Sequence, residues 1–360
     1  MKKIVCLIDS LVSGGAQRQL VGLACLLKSN GFDVSVMTYH NILFYARQLE
    51  NGNVPYVVVE KASNPIKRFY YITKALKEYK PDIVIAYLDV PCIMSVISKF
   101  LGCNYKLIVS ERNTTQKLNT MERIKFFLYR FADAIVPNSY SQTEFIRKHY
   151  PNLTSQVYTI TNFVDTSSFI PCNHRAYTRT KTLNILSVGR VSEQKNILRY
   201  IEAINIVRLK GIDVQVKWFG GKFKEYYNNC INKIQEYHLE NVFAFYDPSK
   251  NIAKEYANAD VFCLPSLYEG FPNVICEAMS CGLPILCSNV CDNPNIVKED
   301  LNGILFNPLS VDDIVASILR FHELDLLTRE RMGKESRTLA VNKFSSIPFI
   351  QKYISIINSI

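Results

Sequence analysis

The chain has 360 residues, enough for two ordinary domains, and its 48% hydrophobic and 21% charged residues exclude a disordered protein. Its net charge of +10, from 42 basic and 32 acidic residues, favours acidic partners such as phosphates, nucleic acid or anionic lipid without choosing among them. The first apolar run ends at Asp9, too early for a signal peptide, and no uncharged stretch reaches membrane-spanning length. Eleven scattered cysteines then predict a reduced, cytosolic setting.

Short apolar runs alternate with longer amphipathic segments through the first half of the chain. Strands are predicted at 4–8, 34–37, 56–59, 83–86, 107–109, 134–137 and 157–160. Helices are predicted at 17–29, 67–79, 92–100, 124–131 and 141–150. This alternation predicts a parallel sheet with crossover helices, a Rossmann-like domain over 1–165.

Gly14 and Gly15 lie between the first predicted strand and its helix. Paired glycines let the backbone approach a ligand closely, and a helix start offers free N–H groups to an anion. A tight turn without a ligand explains the same pair. The loop also lacks the G-x-G-x-x-G spacing of a dinucleotide fingerprint, which counts against a dehydrogenase.

Residues 61–130 hold 13 lysines and arginines against five acids, interleaved with aromatic residues. Such a region is able to lie at an anionic lipid surface, with Lys67, Arg68, Arg123 and Lys125 among its cations. An ordinary basic helix face over core aromatics explains the same pattern. No DNA- or RNA-binding motif is present, so nucleic acid is not expected as a partner.

A polar segment without periodicity, 162–180, predicts an interdomain linker. Beyond it, strands are predicted at 183–188, 214–219, 242–245, 261–264 and 285–287, with an amphipathic helix at 345–360. A second Rossmann-like domain is therefore predicted over 181–344. Four cysteines cluster near its end, but their spacing fits no usual zinc pattern, so buried thiols and no metal are expected. They are Cys276, Cys281, Cys287 and Cys291.

The stretch 266–279 follows the apolar run of a predicted buried strand. Gly270 and Pro272 interrupt the pattern, and Asn273 is predicted as the N-cap of a helix. Glu269 then lies in the loop and Glu277 about one turn into the helix. Two carboxylates beside a helix N-terminus suit a ligand with a central diphosphate and hydroxyls at both ends, such as a sugar nucleotide. Because Glu is common in first helix turns for dipole reasons alone, the pair by itself leaves both explanations open.

Seven residues separate Glu269 from Glu277, with Gly-Phe-Pro after the first and Ala-Met-Ser-Cys-Gly-Leu-Pro-Ile after the second. This run resembles the donor-site signature of retaining GT-B glycosyltransferases, in particular glycosyltransferase family 4, the glycosyl transferases group 1. The resemblance covers essentially the whole chain and is strongest over 189–284. It implies an α/β, GT-B architecture of two Rossmann-like domains facing across a cleft, with the helix 345–360 crossing back onto the N-terminal, acceptor-side domain.

The loop after strand 183–188 carries Arg190 and Lys195, two cations suited to a diphosphate, although a solvated basic turn has the same composition. The resemblance implies that these two side chains hold the leaving diphosphate, and that Arg190, Lys195 and Glu269 are the catalytic residues. Glu277 would hold the ribose hydroxyls. The full donor-binding set that the resemblance implies is Gly15, Gly220, Asp247, Gly270, Phe271, Pro272, Asn273, Val274 and Glu277.

Glu111, Arg112 and Asn113 follow strand 107–109 and are the acceptor-side candidates. Several relatives in the family carry a histidine here that contacts the donor sugar. The five histidines of this chain all lie elsewhere, so that role does not carry over. Two explanations stay open: Arg112 anchors an acceptor phosphate, or Glu111 caps a turn.

The resemblance implies transfer of a sugar from a nucleotide-sugar donor, expected to be a UDP-sugar, to a glycan or lipid-linked acceptor in bacterial surface polysaccharide synthesis. No cofactor and no metal ion are expected, because the two cations and a helix N-terminus can stabilise the diphosphate. The expected location is the cytoplasm, with peripheral contact at the inner face of an anionic membrane as an open alternative. A sugar-nucleotide epimerase or phosphorylase of the same fold, or a non-catalytic nucleotide-binding subunit, are the competing hypotheses.

Overall fold

The computed structural model describes residues 1–59, 64–115, 118–172, 182–249 and 251–360. Within these ranges the chain forms two compact units: unit 1 is Met1–Asn162 with Ser346–Ile360, and unit 2 is Phe163–Ser345. The later part of the predicted linker, 173–180, lies outside the described residues. Its earlier part belongs to unit 2, where the Val164 N–H donates to the Phe344 carbonyl at 2.7 Å.

Unit 1 is built on a parallel six-stranded sheet in the order β3-β2-β1-β4-β5-β6. Its strands are β1 Lys3–Leu7, β2 Asp33–Thr38, β3 Tyr56–Val58, β4 Ile83–Tyr87, β5 Lys106–Glu111 and β6 Ala134–Pro137. Its first six helices are α1 Gly15–Ser29, α2 Ala46–Asn51, α3 Pro65–Tyr79, α4 Asp89–Phe100, α5 Thr120–Tyr129 and α6 Tyr140–His149. The central strands are apolar at nearly every residue because parallel sheets carry helices on both faces; all five residues of β4 are buried.

Unit 2 repeats this plan with a parallel six-stranded sheet in the order β12-β11-β10-β7-β8-β9. Its strands are β7 Leu183–Val188, β8 Val214–Phe219, β9 Phe243–Tyr246, β10 Val261–Leu264, β11 Ile285–Ser288 and β12 Gly303–Phe306. Its helices are α7 Ile197–Leu209, α8 Lys224–Glu236, α9 Ile252–Ala257, α10 Asn273–Ser280, α11 Asn293–Ile296, α12 Val311–Glu323 and α13 Leu326–Phe344. Among the described helices of the whole chain, none is long and apolar enough to cross a bilayer.

The last helix, α14 Ser346–Ser359, returns to unit 1 and packs beside α1. Its Tyr353 is fully buried, and the Tyr353 hydroxyl lies 2.8 Å from the hydroxyl of Tyr87 at the end of β4. The Lys2 ammonium donates to the Ile357 carbonyl at 2.5 Å. The C-terminal helix therefore completes the core of the N-terminal unit.

The predicted α/β class with two Rossmann-like sheets is confirmed. The predicted strand 157–160 is wrong: Tyr158 and Ile160 donate to carbonyls of β6, but Val157 makes only an isolated bridge. Pro137 in β6 has no N–H with which to donate back, so a ladder cannot form there. Conversely, β12 was not predicted, because its four residues begin with Gly303 directly after Asn302, and Asn-Gly is a pair typical of turns.

Candidate functional site

The strand order of unit 2 reverses direction between β10 and β7. In open parallel α/β sheets, ligands bind outside the carboxyl ends of the strands at such a reversal. The loops that leave this point carry Gly189–Lys195 after β7 and Pro265–Pro272 after β10. The fold therefore brings together the two loops that the sequence singled out.

A buried ion pair joins these two loops. The ammonium of Lys195 lies 2.5 Å from a carboxylate oxygen of Glu269, and both side chains are about nine-tenths buried. Gln194 fastens the same loops, since its carbonyl accepts from the Leu267 N–H at 2.8 Å and its amide donates to the Tyr268 carbonyl at 2.9 Å. The predicted Lys195 and Glu269 thus contact each other directly, and Gln194 is a supporting residue that no sequence signal had marked.

Arg190 differs from Lys195 in being exposed. Its guanidinium carbon lies 5.9 Å from the centroid of the Phe223 ring. Among the described residues, no carboxylate lies within ion-pair distance of it. Arg190 is therefore the cation of this loop that can accept an external anion without first giving up a carboxylate.

The loops after β7 and β8 approach so closely that a glycine is required. A Cβ atom on Gly220 would lie 1.9 Å from the carbonyl oxygen of Gly189, whereas a Cβ on Gly221 would meet nothing within 4 Å. The indole of the fully buried Trp218 donates to that same Gly189 carbonyl at 2.8 Å. In the next loop, the exposed Asp247 pairs with Lys222 at 2.9 Å. Gly220 therefore positions the backbone beside Arg190.

The helix α10 begins one residue earlier than predicted. Pro272 occupies the cap position and Asn273 is the first helical residue, so Asn273 as the N-cap is wrong by one position. Phe271 is buried against Phe344 of α13, with ring centroids 5.6 Å apart, and this contact fixes the approach to the helix. The N–H groups of the first turn, beginning at Asn273 and Val274, lie immediately after the loop of Gly270.

Glu277 lies in the fifth position of α10 and is 4% exposed. The hydroxyl of Tyr256, on α9, donates to its carboxylate at 3.1 Å. Burial and this hydrogen bond hold the carboxylate in one orientation. Tyr256 is a second supporting residue that sequence reasoning missed, because its only signal is an aromatic ring on a short helix.

An open cavity of about 600 Å³ lies beside the β7 loop, between that loop and the start of α8. Ser192, Phe223 and Leu267 are among its lining residues, but Lys195, Glu269 and Glu277 are not. The cavity therefore borders the ion pair and does not contain it.

In unit 1 the strand order reverses between β1 and β4. Gly15 lies at the end of the loop that follows β1. It is exposed and is the first residue of α1, whose N-cap is Gly14. The amide of Gln17 donates to a carboxylate oxygen of Asp9 at 3.1 Å. A carboxylate at the position of Gln17 would face that of Asp9, so the amide fits the neighbouring charge.

Glu111 ends β5 and is 1% exposed. It accepts from the Lys125 ammonium at 2.9 Å and the Tyr129 hydroxyl at 2.6 Å, both on α5, so the turn-capping explanation is wrong. Lys125 also contacts Glu122 at 2.9 Å and Asp89 at 3.3 Å. Burial raises the pKa of Glu111 while Lys125 lowers it, with a net rise. Burial lowers the pKa of Lys125, and the surrounding carboxylates raise it by more.

Arg112, the next residue, is buried as well. Its guanidinium donates to Asn162 and to the Ser110 hydroxyl, and its central carbon lies 4.4 Å from the Tyr87 ring centroid. Among the described residues, the Nε atom of Arg112 has no hydrogen-bond partner, and no carboxylate forms an ion pair with the guanidinium. Asn113 is exposed. The acceptor-side candidates therefore comprise a buried anion network, a buried cation and an exposed amide.

The clustered Cys276, Cys281 and Cys287 are buried, and burial raises the pKa of the Cys276 and Cys287 thiols well above the ordinary value. Across the described ranges no group of three or more histidine, cysteine or acidic side chains is placed to hold a metal ion.

Two family models match this chain. The model described as Glycosyltransferase Family 4 matches residues 13–168, and the one described as Glycosyl transferases group 1 matches residues 173–339. Among curated proteins, the chain is 25% identical over 323 residues to an amylovoran biosynthesis glycosyltransferase of Erwinia amylovora, covering 83% of this chain and 85% of that one. It is 28% identical over 335 residues to a Campylobacter jejuni alpha-1,4-N-acetyl-D-galactosaminyltransferase acting on a diphospho-undecaprenol-linked saccharide, covering 88% and 87%.

Solved structures share the fold. HepE of Anabaena in complex with UDP aligns with a TM-score of 0.87 at 19% identity, covering 99% of this chain and 100% of that one. A glycosyltransferase from Rickettsia africae aligns with a TM-score of 0.87 at 17% identity, covering 99% and 98%. At these identities the similarity shows the two-domain architecture.

The contact between the β7 and β8 loops predicts a difference between neighbouring glycines. Gly220→Ala should lower the stability of unit 2 by about 1–3 kcal/mol, because the added methyl group overlaps the Gly189 carbonyl. Gly221→Ala is the matched control and should stay within about 0.5 kcal/mol. Denaturation followed by fluorescence of Trp218, the only tryptophan, measures both. Equal midpoints for the two variants would contradict the packing argument.

The buried network of unit 1 predicts a pH-dependent defect. Lys125→Met should destabilise unit 1 by about 3–5 kcal/mol at neutral pH, because Glu111 would be left as a buried unpaired charge. The raised pKa of Glu111 means that its folded form retains a proton more readily, so the defect should shrink at low pH and grow as the pH rises above the ordinary carboxyl value of 4.5.

The control is the double variant Lys125→Met/Glu111→Gln, which removes both charges and should recover much of the lost stability. Circular dichroism during denaturation at several pH values measures the series. A defect of constant size from acid to neutral pH, or no recovery in the double variant, would show that Glu111 does not carry the effect.

Proposed function

The chain belongs to the GT-B glycosyltransferases of family 4, and from that membership we propose that it transfers a hexose from a UDP-sugar to a lipid-linked saccharide, with retention of the anomeric configuration. The observation that carries the proposal is the constellation at the strand-order reversal of unit 2. There the two loops carry an exposed arginine and a buried lysine–glutamate pair, and the helix that follows the second loop carries a buried second glutamate.

The donor's diphosphate is assigned to Arg190, Lys195 and the first turn of α10. Arg190 offers a fork of donors, and a lysine ammonium has three N–H groups, of which Glu269 needs only one. The free N–H groups and the positive end of the helix dipole add to the attraction. Since these groups are fixed before the reaction, they stabilise the charge that develops on the leaving diphosphate without reorganising.

The two buried carboxylates are assigned to the hydroxyl groups of the nucleotide-sugar donor. Glu277 is assigned to the ribose hydroxyls and Glu269 to the hydroxyls of the sugar, on opposite sides of the diphosphate. Both are buried acceptors that the protein holds in place: the Tyr256 hydroxyl donates to Glu277, and the Lys195 ammonium pairs with Glu269. The proposal of UDP as the nucleotide is supported by the Anabaena protein, whose structures hold UDP and UDP-glucose.

In the proposed reaction the bond between the sugar's anomeric carbon and the diphosphate oxygen breaks. The acceptor hydroxyl oxygen forms a bond to that carbon on the same face. Its proton passes to an oxygen of the departing phosphate, so no protein base is required. Arg190 and Lys195 take the role that a metal ion has in other glycosyltransferases, and we propose that activity is independent of divalent metal.

The acceptor is proposed from the relatives and from unit 1. Two Campylobacter relatives are named for diphospho-undecaprenol-linked saccharides. Arg112 has no carboxylate partner among the described residues, so its charge can attract such a diphosphate, with Asn113 as the exposed contact. We place the reaction at the cytoplasmic face of a membrane, in agreement with eleven free thiols.

A donor and acceptor panel tests this function. UDP- and GDP-sugars are incubated with the full chain, with and without an undecaprenyl-diphosphate-linked saccharide, in buffer containing EDTA. We expect a new glycan product only when a UDP-sugar and the acceptor are both present. Isomerised or phosphorolysed sugar without acceptor would favour an epimerase or phosphorylase, and nucleotide binding without any turnover would favour a non-catalytic subunit.

The role of Glu277 gives a binding prediction. Glu277→Gln should weaken UDP binding by about tenfold or more, since a hydrogen bond to a charged group contributes roughly 1.5–3 kcal/mol. Glu236→Gln, at the exposed end of α8, is the matched control and should bind UDP as the parent does. Calorimetric titration measures both, and an unchanged affinity in Glu277→Gln would remove Glu277 from the ribose role.

A further inference from the structure

Helix α5 and the two residues after it carry large apolar side chains on their outer face. Met121, Ile124, Phe127 and Phe131, together with Phe100 at the end of α4, are each between 39% and 65% exposed. We call these five residues the α5 stripe. Large apolar side chains scattered singly over a surface need no explanation, but a contiguous patch marks an interaction site.

The α5 stripe is contiguous. Met121, Ile124 and Phe127 follow one another at intervals of three residues, which places them on one side of the helix. The Phe127 and Phe131 ring centroids lie 6.3 Å apart, and those of Phe131 and Phe100 lie 4.7 Å apart. The five side chains therefore form one apolar surface that spans the ends of two neighbouring helices.

The fold of unit 1 does not require this surface. The inner side of α5 already packs through Phe126 and Tyr129, both fully buried, and through Lys125 in its network with Glu111. The helix thus has large apolar side chains on both its inner and its outer side, whereas the outer side of an ordinary surface helix is polar. Since the inner contacts hold the helix in place, the outer apolar residues are left for a partner.

Cations border the α5 stripe. Arg123 and Arg130 on α5 are exposed, and the Arg130 guanidinium carbon lies 4.3 Å from the centroid of the Phe127 ring. Lys99 and Lys106 share one carboxylate, Asp133, at 2.9 and 3.0 Å, which leaves an excess positive charge beside Phe100 and Phe131. Lys125, which the sequence suggested as a surface cation, is buried, so that assignment is wrong.

The neighbouring helix α3 extends the basic border, since it packs beside α4 and exposes Lys67, Lys74 and Lys77. An apolar stripe rich in phenylalanine, with arginines and lysines at its margins, is the composition of helices that lie in a membrane interface. Long basic side chains can keep their charges at the lipid headgroups while their stems cover apolar surface. A protein partner would need an acidic rim around an apolar centre, whereas an anionic bilayer supplies both properties everywhere.

We propose that the α5 stripe inserts into the interfacial layer of an anionic lipid bilayer, with Arg123 and Arg130 at the headgroups. The proposed function supplies only the reason for membrane binding, because a lipid-linked acceptor lies in a membrane. The binding itself requires neither donor nor acceptor, so its failure and the failure of glycosyl transfer are separate results. Because the inserted side chains are apolar, part of the vesicle binding should persist at a salt concentration that screens the charges of the arginines.

Vesicle sedimentation of the full chain tests the apolar part. Ile124→Gln/Phe127→Gln should reduce binding to phosphatidylglycerol–phosphatidylcholine vesicles by about tenfold or more, since two exposed apolar side chains lose their insertion energy. Leu209→Gln/Leu327→Gln is the matched control, because both leucines are at least as exposed but lie in unit 2. Arg123→Glu/Arg130→Glu should abolish the preference for phosphatidylglycerol over pure phosphatidylcholine.

A tryptophan probe tests insertion directly. Phe127→Trp should be quenched by brominated lipid, whereas Leu209→Trp should not; the parent chain is the blank, because its single Trp218 is fully buried. The proposal is overturned by an unquenched Phe127→Trp, or by equal sedimentation of the stripe and control variants. It is also overturned if the parent chain dimerises in solution and the stripe substitutions abolish that dimer, since the stripe would then belong to a second copy.

Discussion

The buried ion pair between Lys195 and Glu269 is the contact on which the rest of the site depends. It joins the loops after β7 and β10 where the sheet of unit 2 changes direction, so both loops present their chemistry at one edge. A lysine charge buried without a carboxylate would cost several kcal/mol, and the same holds for the glutamate. The pair therefore allows both charges to stay buried, where their attraction for the proposed diphosphate would be stronger than in water.

Unit 1 also contains a buried lysine–glutamate ion pair, which holds a helix in place. Glu111 is buried beneath α5 and is paired by Lys125 of that helix, with Asp89 and Glu122 on the same ammonium. This network fixes α5 from below, so the outer face of the helix is free to be apolar. In both units a buried lysine–glutamate contact holds an element whose other side is the surface that we propose for a ligand: a nucleotide sugar in unit 2 and a lipid surface in unit 1.

The alternation of apolar runs and amphipathic segments predicted every strand of the two described sheets except β12, because parallel strands buried on two faces are apolar at nearly every residue. It failed at 157–160, where the composition suits a strand but Pro137 in the neighbouring strand cannot donate. The spacing of Glu269 and Glu277 pointed to the candidate donor site, yet nothing in that spacing showed that Glu269 is paired with Lys195. Likewise Lys125 resembled a surface cation, since only the fold determines which side of α5 is buried.

The most direct test of this account compares UDP with uridine as ligands of the same variants, because uridine lacks the diphosphate and serves as an internal control. Calorimetric titration of the parent chain, Arg190→Met and Lys195→Met gives the ratio of the two affinities. If the two cations hold the diphosphate, the preference for UDP should fall by about tenfold or more in each variant while uridine affinity persists. An unchanged UDP-to-uridine ratio in both variants would contradict the account.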